Sequence, residues 1–418
     1  MKITKTLLRQ YAKLLAVSGI CVRKGEQVVI RAGLDQPEFV EMVVRECYRA
    51  GASRVTVEWS HQPLERMAIT YCSLKTLSRV EEWEKAKLAY RAETLPAMLY
   101  LISEDPDGLC GIDQNKNSKA AQARYRVIKP YRDAMENKYK WCIAAVPGVA
   151  WAKKMFPGER TSVAVRRQWE AILYTMRMTD TLGGEPQDGI AAWKAHNADI
   201  DARCAYLNSL HITELEYHAA NGTNLRVGLL DDNRSLFCGG GDKTIGGEFF
   251  NANMPTEEVF TSPKRGVAEG IVYSSKPLSY RGEVIENFSV RFEGGKAVEV
   301  HAERNEALLR QMIEMDEGAA YLGECALVPF HSPISQSGLV FYETLFDENA
   351  SCHLALGAGY TGTVRDYQNF TLEQLHEMGI NDSMNHVDFM IGTEDLTVIG
   401  HTEDGKSVEL FRNGDWAF

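Results

Sequence analysis

Carboxylates and imidazoles crowd the stretch between residues 255 and 390, and such side chains carry out acid–base and metal chemistry. The densest patch, LFDENASCHLALGAGY, places Asp347, Glu348, His353 and Tyr360 within 14 residues. Taken alone, this patch fits an acidic surface loop with one core histidine better than a functional site. Its meaning therefore depends on what the neighbouring stretches contribute.

A second group of candidate ligands follows in NDSMNHVDFMIG, where His386 and Asp388 stand two residues apart before an apolar run. In a strand, residues i and i+2 share one face, so both side chains could bind the same ion. An isolated pair of this kind is a weak signal. It becomes informative only beside other ligands.

Three further acids lie upstream. Glu324 stands in the apolar run YLGECALVPF, and an unpaired buried carboxylate is costly, so it needs a cation or a donor as partner. Glu257 and Glu258 lie between two prolines in NMPTEEVFTSP, in a short extended or turn segment. By itself this pair is typical of a solvated surface.

Together these groups supply oxygen and nitrogen donors and no thiolate, a set that suits Zn, Mn or Co with positions left open for water. Several carboxylates and two histidines exceed the needs of one ion. We therefore hypothesise a two-metal hydrolytic centre, with ions about 3.5 to 4 Å apart. The stretch Gly357–Gly362 fits G-x-G-x-x-G, but no helical pattern follows it, so we predict no nucleotide cofactor.

The elements that position these residues differ between the two halves of the chain. A helix ending near Gly19, a β-branched strand at Val28–Ile30, a helix opened by Pro37 and a strand at Val55–Trp59 form a βαβ pattern, which predicts a parallel sheet. Residues 98–102 and 141–146 are predicted as further strands, with a helix over 130–140 between them. From about residue 190, short strand candidates alternate with Gly and Asn.

The sequence thus predicts an α/β and α+β protein of two domains. Residues 1–190 would form an N-terminal α/β domain with a parallel sheet, and residues 191–418 a C-terminal β-rich catalytic domain that binds the metal. The length of 418 residues and the 44% hydrophobic content suffice for both cores.

Composition excludes several classes of protein. The net charge of −11 argues against nucleic acid as a partner, and no apolar run approaches the roughly 20 residues needed to cross a bilayer. The nine cysteines are scattered without a C-x-x-C pair, which predicts free thiols rather than a disulfide framework or a thiolate zinc site. The polar residues of the first helix also break any signal-type apolar core, so we expect a cytoplasmic protein without a membrane anchor.

At these residues the chain resembles the M29 metalloaminopeptidases, the group that contains aminopeptidase T, aminopeptidase S and PepS. The resemblance extends over most of the chain, from YAKLLAVSGICVRKGEQVVI and AGASRVTVEW to five ordered C-terminal blocks. These blocks are NMPTEEVFTSP, GECALVP, FDENASCHLALG, the tyrosine that follows, and NHVDFMIG.

The resemblance implies an aminopeptidase that removes N-terminal residues from short peptides by means of water activated by two divalent ions, Zn, Co, Mn or Mg. It implies metal ligands at Glu258, Glu324, His353, His386 and Asp388. It also places Tyr360 beside the metals as a catalytic residue that could stabilise the oxyanion. Glu258 fits the family spacing better than Glu257.

Glu348 is either a sixth metal ligand, which we favour, or the general base. The family also implies a homodimer that encloses the active sites. Residues from about 60 to 190 depart from the family pattern, which affects substrate preference more than chemistry. Two alternatives stay open: a di-metal hydrolase of another amide or ester bond, and a non-catalytic, metal-stabilised peptide-binding protein.

Overall fold

The computed structural model describes residues 2–418, which divide into two compact units. The first contains the chain up to Ala195 together with Gly241–Pro255 and Arg281–Glu283. The second contains His196–Gly240, Thr256–Tyr280 and Val284–Phe418. The chain thus leaves the second unit twice before its C-terminal stretch.

The helices are concentrated in the first 209 residues. They are α1 (Lys5–Leu14), α2 (Pro37–Ala50), α3 (Gln62–Tyr71), α4 (Leu74–Leu77), α5 (Glu82–Thr94), α6 (Gln114–Met135), α7 (Val149–Met155), α8 (Thr161–Thr175), α9 (Gly189–Ser209), α10 (Glu306–Ile313), α11 (Pro333–Gln336), α12 (Thr344–Asp347) and α13 (Leu372–Glu377). A π-helical turn, Leu15–Gly19, extends α1 to the predicted end at Gly19.

The strands lie mostly in the C-terminal half. They are β1 (Gln27–Gly33), β2 (Arg54–Ser60), β3 (Ala97–Ile102), β4 (Trp141–Ala145), β5 (Ile212–His218), β6 (Asn224–Gly228), β7 (Asp242–Lys243), β8 (Phe249–Phe250), β9 (Asn253–Met254), β10 (Val259–Thr261), β11 (Ala268–Tyr273), β12 (Leu278–Tyr280), β13 (Glu283–Glu293), β14 (Lys296–Arg304), β15 (Leu322–Leu327), β16 (His353–Gly357), β17 (His386–Met390), β18 (Thr397–Thr402), β19 (Ser407–Arg412) and β20 (Asp415–Trp416).

The first unit is built on the predicted parallel sheet, whose strand order is β2-β1-β3-β4-β9. Its central strands are buried apolar runs because helices must cover both faces of such a sheet. The helix α2 begins at Pro37 and stops at Gly51, whose φ of 111° lies in the left-handed region that glycine tolerates. The βαβ prediction is therefore confirmed.

The prediction of a helix over residues 130–140 was wrong in its bounds. The helix α6 begins at Gln114, contains Pro130 in its interior and ends at Met135. Pro130 is usually read as a helix start because its ring fixes φ and removes a backbone donor. Here the helix has already run for four turns when it reaches the proline.

The second unit contains two antiparallel sheets. The larger has the order β12-β13-β11-β6-β5-β18-β19-β20, with β14 paired to β13. The smaller has the order β10-β15-β16-β17. The mixed α/β fold with a β-rich C-terminal part agrees with the sequence-based fold class.

The small sheet separates an apolar face from a polar one. Leu322 and Leu356 are paired and lie in the hydrophobic core, whereas Glu324 is paired with Ala355. Residues two apart normally share a face, but a β-bulge between Leu322 and Glu324 adds one residue to β15. Glu324 therefore lies on the face opposite to the core.

All nine cysteines are free thiols, and five of them are buried. Within residues 2–418, none of the helices combines the length and the apolar character that a bilayer crossing requires.

Candidate metal centre

The polar face of the small sheet gathers the predicted site residues. Opposite residues of paired strands share a face, and here Glu324 lies opposite Ala355, which in turn lies opposite Asp388. In the next row Phe260, Ala326 and His353 are neighbours. The two alanines occupy the middle of this face, so the ionisable side chains surround a position with little bulk.

The first group of possible ligands consists of Glu258, Glu324 and His353, all buried. Each offers one ligand atom, and these atoms lie within 4.8 Å of one another. The imidazole Nε2 of His353 is 3.3 Å from Oε2 of Glu258. Ligands bound at about 2.0 to 2.2 Å from one ion have separations of this size.

The second group consists of Glu324, His386 and Asp388, whose ligand atoms also lie within 4.8 Å of one another. Nε2 of His386 is 3.2 Å from Oε2 of Glu324 and 3.2 Å from Oδ1 of Asp388. Glu324 belongs to both groups, so it would be the shared ligand if each group held a cation.

In both histidines, Nδ1 makes a hydrogen bond that orients the ring for metal binding through Nε2. Nδ1 of His386 is 2.7 Å from the carbonyl oxygen of Ala358, and Nδ1 of His353 is 3.3 Å from that of Ser351. A carbonyl oxygen only accepts, so Nδ1 carries the hydrogen in each case. Each Nε2 then faces carboxylate oxygens, and a cation between them would satisfy all of these atoms.

Charge within this cluster is unbalanced. Burial is the main reason that the pKa of Glu324 is raised to about 7. The charges of Glu258 and Asp388 also raise this pKa, whereas His386 acts in the opposite direction. Burial lowers the pKa of His353, but its hydrogen bond with Glu258 and the surrounding carboxylates raise it to about 9. Without a cation, the site draws protons to reduce its own negative charge.

Two further observations show that the donors fit a cation. Oδ1 of Asp388 is buried and has no hydrogen-bond partner, although it lies near His386. Within residues 2–418, the ion pairs made by Glu258, Glu324 and Asp388 are with histidines and include no lysine or arginine. The oxygen-rich donor set and the orphaned oxygen suit divalent ions.

Glu348 lies beside the two groups but belongs to neither. Burial and the charges of Asp388 and Glu258 raise the pKa of Glu348 well above its usual range. A hydrogen bond from Glu348 to Asp388 helps lower the pKa of Asp388. A protonated Glu348 therefore donates to Asp388 when no cation is bound.

Asn349 holds Glu348 in place and was missed by the sequence-based reasoning. It is fully buried, and its Nδ2 donates to Oε1 of Glu348 at 3.3 Å and to the carbonyl oxygen of Leu345 at 3.0 Å. Its Oδ1 accepts the backbone N–H of Glu257 at 2.7 Å. One amide therefore ties the segment of Glu258 to that of Glu348.

The structure separates the acids that the sequence placed side by side. Glu258 points to His353, whereas Glu257 lies 3.9 Å from Nε2 of His196. Asp347 belongs to neither ligand group and accepts the backbone N–H groups of Phe341 and Glu343, so it orders the loop before Glu348.

Tyr360 reaches the second ligand group through its hydroxyl, which is 3.0 Å from Nε2 of His386. The residue as a whole is 40% exposed, but its hydroxyl end lies among carboxylates. Burial of that end and the charges of Glu324 and Asp388 raise the pKa of Tyr360 well above its usual value. The phenol therefore keeps its proton and is a hydrogen-bond donor.

A period-two pattern carries this arrangement and was visible in the sequence. In GECALV, CHLALG and HVDFM, the residues on the polar face alternate with those that enter the hydrophobic core, such as Cys325, Leu354 and Phe389. The alternation was used for His386 and Asp388 only. Applied to all three strands, it would have placed Glu324 and His353 on the same face.

Comparison with known proteins identifies the family. Residues 4–416 match the family model described as thermophilic metalloprotease (M29). The chain is 38% identical over 412 residues to aminopeptidase AmpS of Bacillus subtilis, covering 98% of each chain. It is also 38% identical over 413 residues to aminopeptidase T of Thermus thermophilus, covering 99% of this chain and 98% of that one.

The fold agrees with the same family. The solved structure of wild-type AmpT from Thermus thermophilus is similar with a TM-score of 0.88 and 38% sequence identity, covering 99% of this chain and all of that one. The resemblance inferred from the C-terminal blocks is thus confirmed. The chain belongs to the M29 family of thermophilic metalloproteases and is therefore a peptidase that depends on a divalent metal.

Proposed function

We propose that this protein is an aminopeptidase that removes N-terminal residues from short peptides at a centre of two divalent cations. The observation that carries the proposal is the sharing of Glu324 by two groups of possible ligands on one buried face. The names of the relatives, aminopeptidases AmpS and T, support the substrate class.

In this proposal Glu258, Glu324 and His353 hold one cation, and Glu324, His386 and Asp388 hold the other. When bound, such ions supply Lewis acidity, which polarises a carbonyl group and acidifies water. Zn, Co, Mn and Mg all accept these donors. Glu348 is proposed as a sixth ligand. Its alternative role is that of a general base that takes a proton from the attacking water.

The chain's own residues orient the substrate and stabilise charge. Tyr360, held in its protonated form, donates a hydrogen bond to the oxygen on which negative charge develops, a contact typically worth about 3 to 4 kcal/mol in the transition state. The carboxylates attract the positively charged α-amino group of the peptide. This attraction would restrict cleavage to the first peptide bond.

The absence of cationic partners weighs against the hydrolysis of phosphoesters. Transferred phosphoryl groups are usually held by arginine or lysine clamps, and within residues 2–418 the candidate ligands pair with histidines instead. A net negative, carboxylate-lined site suits a substrate with a cationic end.

We further propose that residues 191–418 form the catalytic domain and residues 1–190 the α/β domain, although residues 241–255 and 281–283 belong to the first compact unit. A homodimer that encloses the active sites would exclude folded proteins and leave short peptides as substrates. With nine free thiols, the chain is suited to the reducing cytoplasm.

The test combines metal analysis with matched substrates. A peptide with a free N-terminus and the same peptide acetylated at its N-terminus are incubated with the protein as purified, after chelation, and after return of Zn, Co, Mn or Mg. We expect two ions per chain and cleavage of the free peptide alone, lost on chelation and restored by metal. Equal cleavage of the acetylated peptide, or full activity after complete metal removal, would overturn the proposal.

A further inference from the structure

The strand β10 presents alternate residues on the face that carries the metal centre. Phe260 lies opposite Ala326 on that face, so Glu258 and Ser262, two residues to either side, point the same way. Glu258 is a candidate ligand. The other two residues contact Tyr360 instead.

Ser262 binds the backbone of Tyr360. Its side chain is almost fully buried, and its Oγ accepts the backbone N–H of Tyr360 at 2.8 Å and lies 3.4 Å from the carbonyl oxygen of the same residue. Thr363 donates its hydroxyl to that carbonyl at 2.7 Å. The backbone of Tyr360 is thus fixed on both sides of its Cα atom.

Phe260 contacts the ring of Tyr360. The two rings meet edge to face, with centroids 5.3 Å apart and an interplanar angle of 66°. Because Tyr360 is 40% exposed, general packing alone does not hold its ring. The edge of Phe260 limits the directions in which the phenol can swing.

The segment Ala358–Tyr360 is also fixed at its other end. The carbonyl oxygen of Ala358 accepts Nδ1–H of His386 at 2.7 Å, while the hydroxyl of Tyr360 lies 3.0 Å from Nε2 of the same ring. The backbone is tightly packed at Gly359, where a Cβ atom would lie 3.2 Å from the side chain of Ile380 and 3.3 Å from Oγ of Ser262, so these neighbours would have to shift slightly. The segment therefore spans between β10 and His386.

Building on the proposed function, we propose that Ser262 and Phe260 are positioning residues that aim the hydroxyl of Tyr360 at the reacting carbonyl oxygen. An oxyanion donor acts only within about 2.7 to 3.1 Å of the developing charge, and a displacement of about 1 Å can cost a hundredfold in rate. One face of β10 then carries the candidate metal ligand Glu258 and the two residues, Ser262 and Phe260, that position the hydroxyl of Tyr360.

The kinetic test uses the metal-loaded enzyme and a free-amino peptide. Ser262→Ala is expected to lower kcat about tenfold with unchanged KM and metal content, and Ser262→Thr, which keeps the hydroxyl, to restore most of the rate. Thr261→Val is the matched control, because Thr261 is buried on the same strand, faces the core side and has a hydroxyl without a hydrogen-bond partner. This control should keep kcat within about twofold of the wild type.

A double-mutant cycle separates positioning from general stability. If Ser262 acts through Tyr360, Ser262→Ala should change kcat less than about twofold in a Tyr360→Phe background. An undiminished tenfold loss in that background, or loss of metal in Ser262→Ala, would overturn the proposal. Phe260→Leu should lower kcat a few-fold with the same dependence on Tyr360, and it provides the test if Ser262→Ala fails to fold.

A spectroscopic readout is independent of peptidase activity. In protein labelled with 3-fluorotyrosine, the fluorine signal of Tyr360 is assigned by its loss in Tyr360→Phe. We expect it to broaden or shift in Ser262→Ala and Phe260→Leu but not in Thr261→Val. An unchanged signal would contradict the positioning role, whereas absence of aminopeptidase activity in the wild type would contradict only the proposed function.

Discussion

Two clusters of histidines and carboxylates in the second unit differ in how their charge is balanced. On the large sheet, Glu216 binds His401 at 2.7 Å, His218 at 2.8 Å and Arg226 at 3.1 Å. On the small sheet, Nε2 of His386 lies 3.2 Å from a carboxylate oxygen of Glu324 and 3.2 Å from one of Asp388. The residue types and separations are similar, but the first cluster surrounds one acid with two histidines and an arginine, whereas the second surrounds a histidine with acids.

The pKa values show the consequence. A hydrogen bond from His401 is the main reason that the pKa of Glu216 is lowered to about 2. Burial acts in the opposite direction, and hydrogen bonds from His218 and Arg226 lower the pKa further. Burial and neighbouring carboxylates raise that of Glu324 to about 7. The Glu216 cluster is therefore complete in itself, whereas in the Glu324 cluster the carboxylates outnumber the histidines. A motif of histidines and acids indicates a metal site only when the acids outnumber the available cations.

The largest expected effect comes from Glu324→Gln, which removes the residue shared by both ligand groups. We expect loss of both ions and a decrease in kcat/KM of about a thousandfold or more, because each ion contributes several kcal/mol. Metal analysis and steady-state kinetics measure this. Glu216→Gln is the control and should keep both ions and its activity. If Glu324→Gln retained full activity, the ligand assignment would fail.

Tyr360→Phe tests the donor beside the same cluster. We expect kcat to fall about 10²- to 10³-fold with metal content unchanged, since one oxyanion donor is lost and the ring remains. Rates and metal content are measured on the same preparation. Loss of metal in this variant would make Tyr360 a ligand rather than a donor.

Asn349→Leu tests the tie between the ligand segments. The substitution keeps the branched shape of the side chain but removes the hydrogen bonds to Glu257 and Glu348, and we expect metal affinity to fall about 10- to 100-fold. Competition with a chelator measures it. Asn208→Leu is the matched control, because Asn208 also uses both amide atoms for hydrogen bonds, with the backbone of Phe237. Equal losses of affinity in the two variants would indicate a general effect on stability.

The smallest effect concerns Glu216 and the pH dependence of stability. Its folded pKa of about 2 lies below the usual 4.5, so its contribution is fully present above about pH 5 and is lost as the pH falls towards 2. After a discount for solvent screening, we expect about 1 to 2 kcal/mol. Between pH 5 and pH 3, metal-free wild type should lose about half of that amount, roughly 0.5 to 1 kcal/mol, more unfolding free energy than Glu216→Gln does, and the remainder is lost as the pH falls through 2. Parallel pH curves would refute this.

The sequence predicted the elements better than the contacts between them. The β-branched run at Val28–Ile30 and the Pro37–Gly51 helix signals follow from local preferences, so they were found. Pro130 misled the prediction because a proline is compatible with a helix interior when the surrounding structure tolerates its missing hydrogen bond. Local sequence does not reveal that tolerance.

The supporting residues of the site were hidden for a different reason. Asn349 meets Glu257 across 92 residues, and Ser262 meets Tyr360 across 98. An asparagine or a serine in a loop has many ordinary uses, and no spacing rule connects such distant partners. Only the register of the four strands brings them together, and the register depends on tertiary packing.

The bulge in β15 gives a local backbone irregularity a role in the chemistry of the protein. If β15 ran as a regular strand through Gly323, Glu324 would share the face of Leu322 and its carboxylate would turn towards the apolar interior, although every ionisable group would still be encoded. The bulge therefore decides which face of the sheet presents this carboxylate. Conserving the acids and imidazoles alone would therefore not conserve the enzyme.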